Sequence, residues 1–310
     1  DPTVAFGPDG AVYFGFVAFG PADGAVAVSR SLDGGRTWGT VTVVADDGRN
    51  TSRNPVPIVD RRTGRIVLVS CWDLAAVDEH RVMAGSAPPS RVHVQHSDDG
   101  GLSWSRPRDI TEQVRMPGWR WYATGPGAVE QLAGGRMLVP ANHSDPAGRG
   151  PRHRSHVLYS DDGGETWALG GQVDAPGSNE AQLAQRPDGA VVLYMRNQAE
   201  GRKQLAVSRD DGLSWEPARR IPELVGTACQ GDLIAVGNLL LATSHQHHRL
   251  RRDLALNVSA DGGETWPAYS VVAAGRAGYS DLVALPSGRV GILMERDDDR
   301  IDYAELRPAR

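Results

Sequence analysis

One eight-residue pattern, S-x-D-x-G-x-[ST]-W, recurs five times and restricts the fold more than any other feature of this chain. It reads SLDGGRTW at 31–38, SDDGGLSW at 97–104, SDDGGETW at 160–167, SRDDGLSW at 208–215 and SADGGETW at 259–266. Each copy follows a strand-like apolar stretch, such as HVLYS (156–160) or LALNVS (254–259). Asp and Ser side chains bond nearby backbone N–H groups, glycine permits positive φ, and a closing Trp supplies an apolar anchor, so each copy reads as a β-hairpin turn. Five of the eight tryptophans are placed this way, which suits packing better than ligand binding.

The copies are 66, 63, 48 and 51 residues apart, so one unit spans about 50 residues plus insertions. Between them lie further strand candidates: RIVLVS (65–70), RMLVP (136–140), AVVLYM (190–195), LLLATS (239–244) and RVGILM (289–294). Turn signals precede several of these, among them TG at 63–64, AGG at 133–135, PDG at 187–189 and PSG at 286–288. About four short strands per unit is the pattern of a β-propeller blade. Five boxed units and a box-less last one, about 278–308, predict an all-β, six-bladed β-propeller forming one domain over residues 1–310. No helical periodicity of useful length interrupts it.

Composition narrows the function. A net charge of −5 argues against nucleic-acid binding, and no apolar run approaches the ~18 residues of a membrane span. Two cysteines, Cys71 and Cys229, are too few for a disulfide framework or a four-cysteine zinc site. Among 33 basic residues Lys203 is the single lysine, a bias that base composition explains as readily as a demand for bidentate grip on carboxylates. The chain starts at Asp1 with no leader before it, so a trimmed N-terminus is expected.

The five boxes resemble the Asp-box (BNR) repeats, and the stretches between them resemble the exo-α-sialidases of glycoside hydrolase family 33. The likeness runs from about residue 50 to 310. It is carried by NPVPIVDRRTGRIVL (54–68), SWSRPRDIT with PGWRWYATGPG (103–111, 117–127), SNEAQL (178–183), YMRNQ (194–198), RRDL (251–254) and GYSDLVALPSGRVGILMER (278–296). The resemblance implies retaining release of terminal α-linked sialic acid from glycoconjugates, with a tyrosine nucleophile and no cofactor or catalytic metal. A neutral phenol approaches the anionic anomeric centre more readily than a carboxylate, provided a base takes its proton.

Residue by residue, Tyr279 in GYSDL matches the nucleophile and Glu180 in SNE its paired base. Arg196, sixteen residues later in MRN, and Arg251 in RRDL match arginines that hold the substrate carboxylate. Glu295 in MER matches an acid that orients an arginine of this cluster. Arg53 and Trp121 are assigned to substrate binding; the aromatic run 119–122 that holds Trp121 would line the cleft rim, where a sugar could stack, with a wedge between blades equally open. Without the resemblance, Tyr279 reads as a packing residue, Glu180 as a loop carboxylate, and Arg249, Arg251 and Arg252 as a solvated basic run.

The first unit departs from the family. Aligning PDG (8–10) puts the first carboxylate-binding arginine before Asp1, and Ala18-Phe19 stands where a Gly-Arg pair is usual. Asp23 occupies the place of the acid/base aspartate, although PADG (21–24) is also an ordinary turn. A glycan-binding propeller that does not cut, and a hydrolase of a related deaminated sugar, therefore stay open. HQHH (245–248), read as a loop, with His143, His153 and His156, has no matching carboxylate and is not assigned to metal. The partners expected are sialylated glycans, with no nucleic acid and no membrane span. A secreted or extracellular monomer is the remaining expectation.

Overall fold

A computed structural model describes residues 3–6, 11–19, 24–74, 77–127, 129, 131–144, 153–198, 201–285, 287–297 and 300–307. The strands follow one another in antiparallel meanders. The first comprises β1 (Thr3–Phe6), β2 (Val12–Phe19), β3 (Gly24–Ser31) and β4 (Thr42–Ala45); the second β5 (Thr51–Val59), β6 (Ile66–Asp73), β7 (Arg91–Ser97) and β8 (Arg108–Asp109). The third comprises β9 (Tyr122–Thr124), β10 (Met137–Ser144), β11 (His153–Ser160) and β12 (Ala168–Gln172); the fourth β13 (Ser178–Gln185), β14 (Val191–Asn197), β15 (Arg202–Ser208) and β16 (Arg219–Val225). Then come β17 (Leu233–Val236), β18 (Leu239–His245), β19 (Arg252–Ser259), β20 (Ala268–Ala284), β21 (Val290–Arg296) and β22 (Arg300–Leu306). The 17-residue β20 pairs with β19 through its first part and with β21 through its second. Two short helices interrupt the strands: α1 (Glu79–Met83) in the long β6–β7 connection and α2 (Thr111–Val114) between the second and third meanders. None of the described helices is long and apolar enough to cross a membrane.

The five apolar runs anticipated from sequence are β6, β10, β14, β18 and β21, the second strand of each meander after the first or the strand after the shared β20. They are buried almost throughout, β10 at every residue. A strand covered on both faces has no reason to alternate, which is why these segments read as continuous apolar stretches. The opening strands touch in series: β1 against β5, β5 against β9, β13 against both β10 and β17, β17 against β20, and β20 back against β1. At that last junction the Val4 N–H donates to the Asp281 carboxylate at 2.5 Å. The order is all-β and consistent with a β-propeller.

All five boxes form the same turn. In the first, Ser31 Oγ donates to Asp33 (2.8 Å) and accepts from the Gly35 N–H (2.9 Å), while Asp33 accepts from the Thr37 N–H (2.8 Å) and hydroxyl (2.6 Å). Asp99, Asp162, Asp210 and Asp261 repeat these bonds. The fifth residue lies at φ 83–93° in every copy, which explains the invariable glycine there. Local bonds hold Asp33, Asp99 and Asp261 down at about 2, the Thr or Ser bonds leading for Asp33 and Asp99. The tryptophans are less uniform than the motif. Trp167 and Trp266 are buried, whereas Trp38, Trp104 and Trp215 are half-buried.

Candidate active site

Three strands carry a register shift: β5 between Arg53 and Val56 and β13 between Ser178 and Ala181, both near the strand start, and β20 between Ala277 and Ser280, where its pairing with β21 begins. A bulge re-aims the side chains beside it. The shifts present Arg53 with Asn54 (φ 53°), Asn179 with Glu180, and Gly278 with Tyr279. A Cβ at Gly278 would meet Glu295 Oε2, so a larger residue there would displace that carboxylate.

Tyr279 Oη donates to Glu180 Oε1. Arg196 Nη1 donates to Glu180 Oε2 at 2.5 Å and lies 3.3 Å from Tyr279 Oη. Phenol, carboxylate and guanidinium thus form one triangle from residues 99 and 83 positions apart in sequence. The exposed Arg251 sets its guanidinium carbon 5.3 Å from the Tyr279 ring centroid. Glu295 accepts the Tyr279 backbone N–H at 2.9 Å, and Gln230 clasps the next residue, donating to Ser280 O (2.9 Å) and accepting from Ser280 N (3.1 Å). Burial pushes the Tyr279 phenol well above its ordinary range; the Glu180 charge adds to this and the Arg196 charge opposes it. Such a contact can carry the phenol proton to Glu180, so a nucleophilic oxygen could be generated here without a free phenolate.

Arg53 and Trp121 form a separate cluster. Arg53 donates through Nε to Asp73 (2.5 Å), through Nη1 to Asn54 (2.8 Å) and through Nη2 to Tyr122 O (3.0 Å), with its guanidinium carbon 3.9 Å from the Trp121 ring centroid. Nothing in the residue pattern marks Asp73, twenty positions on, as its partner. Asp23 lies outside the described residues; Gly24, the next residue, opens β3.

The histidines disperse. His245 ends β18, buried, with Nε2 2.9 Å from Ala277 O, so HQHH is not wholly a loop; His247 accepts two backbone N–H groups in the turn beyond. His143 and His156 meet through their Nδ1 atoms (3.1 Å), with Trp119 stacked on His143 and Tyr122 Oη 2.8 Å from His156 Nε2. His153 pairs with Glu79 at 2.5 Å. Among the described residues no three His, Cys, Asp or Glu side chains converge to hold a metal. Cys71 and Cys229 are both free and buried, and burial pushes the Cys229 thiol up to about 11.

Residues 10–292 match the BNR repeat-like domain family. The chain belongs to that family. It is 32% identical over 310 residues to a sialidase of Micromonospora viridifaciens, covering 89% of this chain and 45% of the relative. It is 29% identical over 299 residues to a sialidase of Bacteroides fragilis (strain YCH46), covering 87% of this chain and 54% of the relative. The chain therefore spans about half the length of these relatives. Among solved structures, the Hadza microbial sialidase Hz136 superposes with a TM-score of 0.89 at 27% identity, over 99% of this chain and 65% of that one. As a BNR repeat-like domain the chain uses its boxes as turns, and its triangle joins Glu180 and Tyr279, at the bulges of β13 and β20, to Arg196 near the end of β14.

A half-apolar cavity of about 590 Å³ lies at the opposite ends of the opening strands, lined by Val4, Val59, Leu183, Leu233 and Val283. It takes in none of the triangle.

Proposed function

We propose that this chain is the catalytic six-bladed propeller of an exo-α-sialidase that removes terminal α-linked sialic acid with retention. The observation that carries the reading is the phenol of Tyr279 donating to a carboxylate that an arginine already grips. The serial contacts of the opening strands, closing from β20 to β1, support six blades. The relatives' names support the sugar.

Tyr279 Oη attacks the anomeric carbon as its proton passes to Glu180. Asp23 protonates the departing glycosidic oxygen, leaving a tyrosyl-glycosyl intermediate. Asp23, now ionised, takes a proton from water, whose oxygen displaces Tyr279; Glu180 returns the phenol proton and the cycle closes. Arg196 and Arg251 hold the sugar's carboxylate, and the local field of clustered arginines steers the anion although the chain carries −5 overall. Arg53 and Trp121 line the rim, and Glu295 fixes Tyr279 from behind. The chemistry uses no cofactor or metal, the substrates are sialylated glycoconjugates, and the enzyme works as a secreted monomer.

The test is fluorophore release from a fluorogenic α-N-acetylneuraminide by the chain and by Tyr279→Phe. Turnover that falls by ~10³-fold or more in the variant supports the reading, since the attacking oxygen is gone. Equal turnover in both overturns the role of Tyr279. A folded wild type that binds this sugar without cutting it, or cuts only the deaminated one, overturns the N-acetyl sialidase.

A further inference from the structure

We propose that Lys203 is a positioning residue for Tyr279, acting through the turn that precedes β17; the inference rests on Tyr279 being the nucleophile. Lys203 is the chain's only lysine and is fully buried on β15. Its ammonium donates to the Cys229 carbonyl at 2.6 Å and lies 5.2 Å from the centroid of the Tyr194 ring, whose own hydroxyl is tied to Thr243 O at 2.8 Å. The preceding carbonyl, Ala228 O, accepts from Arg251 at 3.3 Å. Two cations therefore hold consecutive carbonyls of one irregular segment.

The next residue is Gln230, whose side chain takes both the N–H and the C=O of Ser280, immediately after Tyr279. Tyr279 itself is held by Glu295 through its N–H. The path is short: Lys203 fixes Cys229, Cys229 fixes where Gln230 starts, and Gln230 fixes the backbone that carries the phenol. The surroundings leave no slack. A Cβ on Gly231 would lie 3.0 Å from Lys203 Nζ and 3.2 Å from the Tyr194 ring.

Lys203 also bears on Arg196. Met195 pairs with Gln204, so Arg196 and Lys203 occupy adjoining opposed positions on β14 and β15. Like charges placed across a strand pair repel. With Lys203 committed to the Cys229 carbonyl, the Arg196 guanidinium is left to Glu180 and Tyr279. Burial pulls the ammonium down to about 8, yet in either protonation state the nitrogen retains a hydrogen to donate to the carbonyl.

The experiment compares wild type, Lys203→Met and Lys203→Arg, reading sialoside kinetics and amide hydrogen exchange at Ser280. The methionine variant should expose the Ser280 amide to exchange about tenfold faster or more. It should lower kcat by roughly 10- to 100-fold while KM stays within about threefold, because misplacement of a nucleophile costs rate rather than binding. Arginine, which keeps charge and donors, should restore both. Lys203→Gln is one bond shorter, cannot reach Cys229 O from the same backbone, and replaces the methionine variant with the same expectation should that one not fold. Unchanged Ser280 protection overturns the clamp. Faster exchange with unchanged kcat in an active enzyme overturns its bearing on catalysis. A wild type inactive on sialosides overturns the nucleophile reading instead, and the exchange comparison alone then upholds or overturns the clamp.

Discussion

Replacing Glu180 by Gln separates the chemistry of the triangle from its contribution to stability. The amide is nearly isosteric, can still accept from Arg196, and cannot take a proton from Tyr279. Loss of a base that acts in the transition state costs ~10²–10⁴-fold in kcat, about 3–5 kcal/mol of barrier. Removing one partner of a buried ion pair costs about 3–5 kcal/mol of stability at the extreme. Here the Arg196 and Glu180 side chains are 14% and 11% exposed and one bond survives, so about 1–3 kcal/mol is expected. For 310 residues that is about 2–5 °C in Tm, which leaves the variant folded at 25 °C. Ionisation of the phenol gives a second readout. The Glu180 charge raises the Tyr279 pKa, so its removal should lower the pH at which this tyrosine ionises, although burial keeps it above the ordinary value. The assays are single-turnover aglycone release, thermal melting and a tyrosinate absorbance titration against Tyr279→Phe. A folded Glu180→Gln protein with kcat within about threefold of wild type would refute the assignment of Glu180 as the proton acceptor.

Arg251→Ala should raise KM by about 10- to 150-fold, the worth of one charge-assisted bond of ~1.5–3 kcal/mol, with kcat changed less; an unchanged KM for an anionic sialoside would remove Arg251 from the carboxylate site. Trp167→Ala, which empties a buried site and frees Gly164 O, should lower stability by about 3–5 kcal/mol, and Trp38→Ala by less because that ring is half-buried. Calorimetry giving equal losses would contradict the burial argument. Acid should also act on the boxes. Asp33, Asp99 and Asp261 are held at about 2, below the ordinary 3.8, so the stability they contribute is present above pH ~4 and is lost as pH falls towards ~2. A Tm that stays flat between those values would count against it.

What could be read from the sequence was what is local or doubly covered. Each box closes within four residues through its own Ser and Asp, so its turn needs no tertiary information. The five central strands announce themselves because burial on both faces forbids alternation. The triangle was different. Glu180 and Tyr279 meet across 99 residues, and each is aimed by a one-residue register shift that no periodicity records; only the likeness to sialidases brought them together. HQHH is divided between two elements that no local pattern separates: His245 points inward at the end of β18 while His247 caps a turn beyond it.

The least legible residue was Lys203, and the reason is physical. Charge pattern normally puts a lysine in solvent, and nothing in GRKQLAVS says that this one turns inward. Arginine, used 32 times in this chain, would bring a planar fork of five donors into a space whose acceptors are one carbonyl and one ring face. A compact ammonium satisfies both, and an additional guanidinium would leave buried donors unpaired beside Arg196. If that reasoning holds, Lys203→Arg should retain turnover yet melt earlier than wild type, whereas an arginine variant at least as stable as wild type would mean that the single lysine is an accident of composition.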